Sequence, residues 1–261
     1  MRPIIAIAST TVGEAVRRKV LLIILLIGVL FLVVAPGLGV LSARSETTVL
    51  RGMMLGIIQL TSAVIAVVLT VYMIPNEIER RTIYTILSKP VQRWQFLLGK
   101  YFGAVAALGM MMGLMSFIMV FVYWLQQKNG AEAIELIRAP AMYFIQMSLL
   151  AAVAIFFSTF VAPLVNFFLS GGVYLLGSLF NPFFKSLEDA SNTPPVAKMA
   201  AKAVNLLIPN FANYNIQNPL INPGTVIENE RAYYLSTTLY GLLYIGALLV
   251  AGMWIFDRRE V

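Results

Sequence analysis

Histidine and cysteine are both missing from this 261-residue chain. Without cysteine there is no disulfide, no thiol nucleophile and no thiolate metal site. Without histidine there is no Ser-His-Asp triad, no HExxH zinc site and no imidazole proton relay. Charge is scarce too: 12% of residues are Asp, Glu, Lys or Arg, about half the usual share in soluble domains. The Walker A loop does not occur, so the chain supplies no phosphate cradle for an ATP motor of its own. The only aspartates, Asp189 and Asp257, lie outside the long apolar runs, which removes the paired-Asp arrangement of an intramembrane protease. No ionisable side chain falls in the middle of an apolar run, where an ion-coupled carrier would need one. These absences argue against an enzyme.

What the chain does have is apolar length. It is 59% hydrophobic, with a mean hydropathy of +0.82. Uncharged runs cover Val20–Ala43, Gly52–Asn76, Tyr101–Gln127, Ala139–Phe184 and Ala232–Phe256. A crossing needs roughly 20 apolar residues, and the Ala139–Phe184 run would be about 69 Å long as one helix at 1.5 Å per residue. It must therefore fold back, and Val161-Ala162-Pro163 is the natural turn. The pattern predicts an all-α membrane protein with six transmembrane helices at 20–41, 53–75, 101–126, 140–161, 164–183 and 233–256. The first run is longer than the usual 7–15-residue core of a signal peptide and reads as a retained helix.

The net charge of +7 does not indicate nucleic acid, because Lys and Arg sit at the edges of apolar runs and not on one folded face. With both termini inside, eleven of the basic residues fall on inner segments and eight on outer ones. Four of those eight lie in a single long loop, Lys185–Arg231, and long loops count less in this rule. The expected topology is therefore N-in/C-in across the cell (inner, cytoplasmic) membrane.

Residues 1–19 place Met1, Ile4, Ile5, Ala8, Val12, Ala15 and Val16 at helical spacing, with Arg2, Ser9, Glu14 and Arg17 elsewhere on the wheel. This is the pattern of an amphipathic helix lying on the inner leaflet; a disordered tail is the alternative. In the outer segment 184–232, Ser191-Asn192-Thr193 and Pro194-Pro195 signal a helix start, and Val196, Met199, Ala200, Ala203 and Leu207 form one apolar face. A small ordered cap and a flexible connector are both consistent with it.

A few polar residues lie within the predicted spans: Gln59, Thr61, Ser62 and Thr70, then Gln146 and Ser148, then Asn166 and Ser170. They serve either helix–helix hydrogen bonds or the lining of a substrate path. Gly109 and Gly113 form a GxxxG pair suited to close helix packing.

The inner loop 76–96 is the richest stretch. Ile83, Ile86 and Leu87 make an apolar edge, Glu77, Glu79, Arg80 and Arg81 a polar one, and Pro90 ends the short helix. Trp94 and Phe96 suit the membrane interface. Such a helix fits a groove on a soluble partner, or lies on lipid headgroups.

This stretch resembles the signature of ABC-2-type transporter permeases, especially those grouped with permease components for multi-copper enzyme maturation. The resemblance is carried by Glu77 and Glu79, then Arg81-Thr82, Leu87-Ser88-Lys89-Pro90-Val91, Arg93 and Leu98-Gly99-Lys100. The amphipathic N-terminus and six spans extend it over the whole chain. It implies a non-catalytic permease subunit, paired with a second permease copy as homo- or heterodimer and driven by a separate ABC ATPase subunit that binds ATP and Mg. No cofactor is bound by this chain, and its contacts are lipid and protein, not nucleic acid. Carried onto this sequence, the ATPase-coupling residues are Glu77, Glu79, Arg80, Arg81, Thr82, Ile83, Leu87 and Lys89, with Ile83 and Leu87 as the apolar plug. Export is the expected direction. The alternatives are a scaffold that passes ATPase force to an extracytoplasmic partner, and an ion-coupled secondary carrier.

Overall fold

Long apolar stretches in a chain this poor in charge can satisfy their backbone only as helices, and helices are what form. The computed structural model describes residues 2–39, 46–79, 92–180, 183, 186–187, 194–218 and 229–258. These residues build α1 (Arg2–Arg17), α2 (Lys19–Gly39), α3 (Glu46–Val71), α4 (Pro75–Glu79), α5 (Arg93–Gln127), α6 (Gly130–Glu135), α7 (Arg138–Ser158), α8 (Pro163–Leu175), α9 (Pro195–Leu207) and α10 (Glu230–Arg258). There is no strand among the described residues. Six helical stretches are long and apolar enough to cross a membrane: α2, α3 with α4, α5, α6 with α7, α8 with the π-turn that follows it, and α10.

The uncharged 139–184 run folds back at Thr159–Ala162, and Pro163 opens α8, where its missing N–H is no loss. α5 starts at Arg93, eight residues before the uncharged run that begins at Tyr101. Its first turn is closed by the Gln92 N–H, which donates to Gln95 Oε1 at 3.2 Å. The early start carries Lys100 into the helix and into the protein.

α3 and α7 form the centre, with 67% and 72% of their spanning windows buried, while α2, α8 and α10 surround them at 28%, 17% and 28%. The outward faces are as apolar as the inward ones: Leu26, Phe117, Phe168 and Leu243 are all at least two-thirds exposed. That all-round hydrophobicity suits a bundle solvated by lipid.

α1 does not merely lie on a leaflet; it packs along the first third of α5. A Cβ on Gly99 would stand 2.8 Å from the Ile7 Cβ, and one on Gly103 would stand 2.6 Å from the Thr11 Cβ and 2.8 Å from the Ala8 carbonyl. The GxxxG pair that brings two helices together is therefore Gly99/Gly103. Of the pair singled out above, Gly109 meets the Phe144 ring at 3.1 Å, and Gly113 has nothing within 4 Å. Both chain ends share one end of the bundle: Arg93 Nη1 donates to the carbonyls of Phe256 and Asp257 at 3.1 Å each. At the opposite end Arg51 pairs with Glu132, and Arg138 with Glu230 at 3.4 Å.

Residues 208–218 belong to no span, yet they run inside the bundle. Tyr244, midway along α10, donates its hydroxyl to the Leu207 carbonyl at 2.9 Å. One turn earlier the Asn210 N–H donates to the Tyr240 hydroxyl at 3.1 Å. Tyr214 then donates to the Thr237 carbonyl at 3.2 Å, and Tyr233 to the Asn213 carbonyl at 3.1 Å. The segment thus climbs along α10 from its midpoint toward its N-terminal end. Two glycines leave it room: a Cβ on Gly177 would collide with the Pro209 carbonyl and stand 2.6 Å from the Phe211 ring, and one on Gly241 would collide with the Tyr214 hydroxyl.

Gly103→Ala drives a methyl into Thr11 and the Ala8 carbonyl and should lower stability by about 1–3 kcal/mol through overpacking. Gly113→Ala meets open space and should leave the melting temperature unchanged or slightly raised. Thermal unfolding of the two purified variants in detergent distinguishes the glycine that packs from the one that does not.

Candidate functional site

Two buried polar clusters stand out, one at the end that holds both chain termini and one at mid-depth.

The first surrounds the inner loop. Arg80, Arg81, Thr82, Ile83, Leu87 and Lys89 lie outside the described residues, and of Glu79 only the backbone, the last residue of α4, is described. Glu77 is described, and it points inward. α4 follows α3 with almost no break, since the Asn76 N–H donates to the Tyr72 carbonyl at 3.2 Å and the Glu77 N–H to the Ile74 carbonyl at 3.1 Å. This brings the Glu77 carboxylate 2.6 Å from Lys100 Nζ. Lys100 is 3% exposed and also faces Glu14 of α1 at 3.8 Å and the Phe96 ring at 5.8 Å. One buried ammonium therefore ties together α1, α4 and α5. The ends of the 80–91 loop leave from α4 and re-enter at α5, so the Glu77–Lys100 pair clasps the loop at its base.

The Glu77 side chain, which the resemblance assigns to ATPase coupling, is 15% exposed and engaged by Lys100. Lys100 and Glu14 were not singled out for a structural role. The available signal was Gly99-Lys100-Tyr101-Phe102-Gly103, a lysine inside a GxxxG pair: whatever packs on those glycines also covers the lysine.

The second cluster joins α3, α7 and the buried 208–218 segment. Gln59 Nε2 donates to Gln146 Oε1 at 3.3 Å, Gln146 Nε2 donates to the Phe211 carbonyl at 2.8 Å, and Asn215 Nδ2 donates to Gln59 Oε1 at 3.0 Å. The Tyr143 hydroxyl closes the cluster by donating to Asn215 Oδ1 at 2.6 Å. The Phe211 N–H reaches the Gly177 carbonyl at 3.0 Å, inside the π-turn Leu176–Phe180 that ends α8. That widened turn exposes a carbonyl which an α-helix would keep for itself. Burial pushes the Tyr214 phenol above the usual tyrosine range, so it stays a donor to Thr237.

Of the polar residues expected to pack or to line a path, Gln59 and Gln146 meet directly. Thr61 lies instead against α2, where a Cβ on Gly28 would stand 2.7 Å from its methyl. Ser62 returns its hydroxyl to the Ile58 carbonyl of its own helix. Asn166 donates to the Ala154 carbonyl at 2.9 Å and accepts from Ser170 at 2.8 Å, stitching α8 to α7. Asn215 and Tyr143 were missed, since an amide in a turn-rich loop and a tyrosine in a span give no sign that they will meet.

Chemically the mid-depth cluster is made of amides and phenols, so it can hold hydrogen bonds, and among the described residues it has no carboxylate or amine to move a proton. Among the described residues no group of three His, Cys, Asp or Glu could hold a metal ion.

Lys100→Met strands the Glu77 carboxylate and should cost about 3–5 kcal/mol, whereas Lys100→Met with Glu77→Gln should recover much of that loss. A double-mutant cycle on thermal unfolding measures it. Gln146→Leu removes the bonds to the Phe211 carbonyl and from Gln59 Nε2 and should cost about 1–3 kcal/mol, read by the same assay.

The family model described as ABC-2 family transporter protein matches residues 5–261. No curated protein matches the chain.

Proposed function

The chain belongs to the ABC-2 family of transporter proteins, and from that premise we propose that it is the permease subunit of an ATP-driven exporter, moved by a separate ATPase through the 76–96 loop. Membership makes it a non-catalytic, multi-pass membrane subunit. It also implies an ABC ATPase partner and, as is usual in the family, a dimeric assembly. The proposal adds the route of force, the direction of transport and the cytoplasmic membrane, with both termini on the ATPase side.

The observation that carries the route is the clasp at the base of the loop. In this reading Ile83 and Leu87 seat in the ATPase, Arg80, Arg81, Thr82 and Lys89 orient the contact, and ATP with Mg stays on the partner. A displacement of the loop then reaches α3 through α4 and α5 through Arg93. Glu77 bound to Lys100 makes the two helices answer together instead of letting the loop flex between them. α1 follows, because it is locked to α5 at Gly99 and Gly103. The mid-depth amides suit a path that opens and closes without ion coupling: each neutral hydrogen bond exchanged there is worth about 0.5–1.5 kcal/mol, small beside the free energy of ATP-driven closure.

The Leu87-Ser88-Lys89-Pro90-Val91 run supports the narrower kinship with multi-copper enzyme maturation permeases. With no Cys or His in the chain, copper itself is not the cargo this reading names. A second reading, force passed to an extracytoplasmic protein, draws on the start of α9, whose Val196 and Met199 are 81% and 78% exposed.

Tagged protein purified from its native membrane in mild detergent should bring down a stoichiometric ATPase with a Walker A loop. Ile83→Asp with Leu87→Asp should release that ATPase while the melting temperature of the membrane subunit holds. Recovery of the chain alone under several gentle conditions would overturn the proposal, and ATPase retained by the double variant would overturn the coupling assignment.

A further inference from the structure

At the end of the bundle away from the start of α1 and the end of α10, residues of α7 and α10 line a cavity of about 370 Å³: Arg138, Ala141, Met142, Ile145, Glu230, Arg231 and Tyr234. That volume lies within the range of small-molecule sites, roughly 300–1,000 Å³. Its polar groups are segregated. Arg138, Glu230 and Arg231 form the rim, while Ala141, Met142 and Ile145 descend α7 below Arg138 by about 4–11 Å at 1.5 Å per residue. Both walls belong to membrane-spanning stretches, Gly130–Ser158 and Glu230–Arg258. The rim therefore stands where headgroups lie, and the floor stands in hydrocarbon.

The rim cations are available. Arg138 donates to Glu230 at 3.4 Å and lies 4.0 Å from Glu135, but all three side chains are more than half exposed, and exposed pairs of this kind are worth about 0–1 kcal/mol. Arg231 is exposed and has no ion pair among the described residues. A phosphate offers both guanidinium groups stronger, charge-assisted hydrogen bonds. The floor requires that whatever carries the phosphate also carries an apolar tail, which a soluble phosphate does not.

We propose that this cavity binds one anionic phospholipid, its phosphate held by Arg138 and Arg231 and one acyl chain laid against Ala141, Met142 and Ile145. The site has a line to the buried segment, because its wall residue Tyr234 accepts a hydrogen bond from Gln217 Nε2 at 3.0 Å. A lipid seated there contacts the tyrosine that anchors the 208–218 segment. The inference needs only the membrane placement of α7 and α10, and stands or falls separately from the ATPase route.

The test uses the full chain in phosphatidylcholine nanodiscs doped with phosphatidylglycerol that bears a diazirine in one acyl chain, irradiated and mapped by mass spectrometry. Labelling should concentrate on 141–145 and Tyr234. Arg138→Gln with Arg231→Gln should reduce it about tenfold, the equivalent of one charge-assisted hydrogen bond. Ala141→Trp, at an exposed position, fills the cavity without changing charge and should reduce it comparably while thermal stability holds. Equal labelling of exposed residues elsewhere, such as Leu26 and Phe117, would overturn the proposal. So would labelling unaffected by either variant, or equal labelling by a diazirine diacylglycerol, which lacks the phosphate.

Discussion

Hydrocarbon does not hydrogen-bond, and this constraint shapes every part of the molecule. It forces the apolar runs into helices and then decides what happens to the backbone that is not helical. The 208–218 segment reaches the mid-height of α10, where an unpaired amide costs several kcal/mol. Its carbonyls and N–H groups are taken up by the hydroxyls of Tyr233 and Tyr240, by Gln146, and by the Gly177 carbonyl of the π-turn, while Tyr244 takes the Leu207 carbonyl just before it. Tyrosine suits this task because it reaches across a helix interface with an apolar body and a polar tip. Gln59 of α3 and Tyr143 and Gln146 of α7 answer to the same constraint: they stand where the irregular segment needs partners.

The buried lysine follows a related rule at the other end. An ammonium taken out of water needs a carboxylate close by, and Lys100 has one at 2.6 Å with a second at 3.8 Å. Such a pair adds little net stability, yet its geometry is demanding, and that makes it a specifier of arrangement. It sets α1, α4 and α5 in one relation where the 80–91 stretch leaves α4 and enters α5. The two glycines of α5 bring α1 near enough for Glu14 to take part.

The two clusters lie at different depths and differ in kind. The charged one sits at the ends of apolar helices, where a buried ammonium joins three of them. The neutral one joins α3, α7 and the 208–218 segment through amide bonds of modest individual strength. The opposite rim, with Arg138, Glu230 and Arg231, is a third setting in which ion pairs remain solvated and open to competition.

Composition and the lengths of the uncharged runs determined the class of the protein: six helices long enough to cross, the fold-back at Pro163 and a helical N-terminus, because hydropathy is summed locally and needs no partner to be read. The resemblance of the 77–100 stretch pointed to the family for the same reason, being a run of consecutive residues. Tertiary structure alone decided which glycines pack, Gly99/Gly103 and not Gly113, since both pairs look alike until the opposite surface is known. It alone showed that Glu77 faces Lys100, and that Asn215, 156 residues from Gln59, closes a cluster with it. A buried hydrogen bond is a relation between distant residues, and its energy depends on burial that no local window of the chain reports.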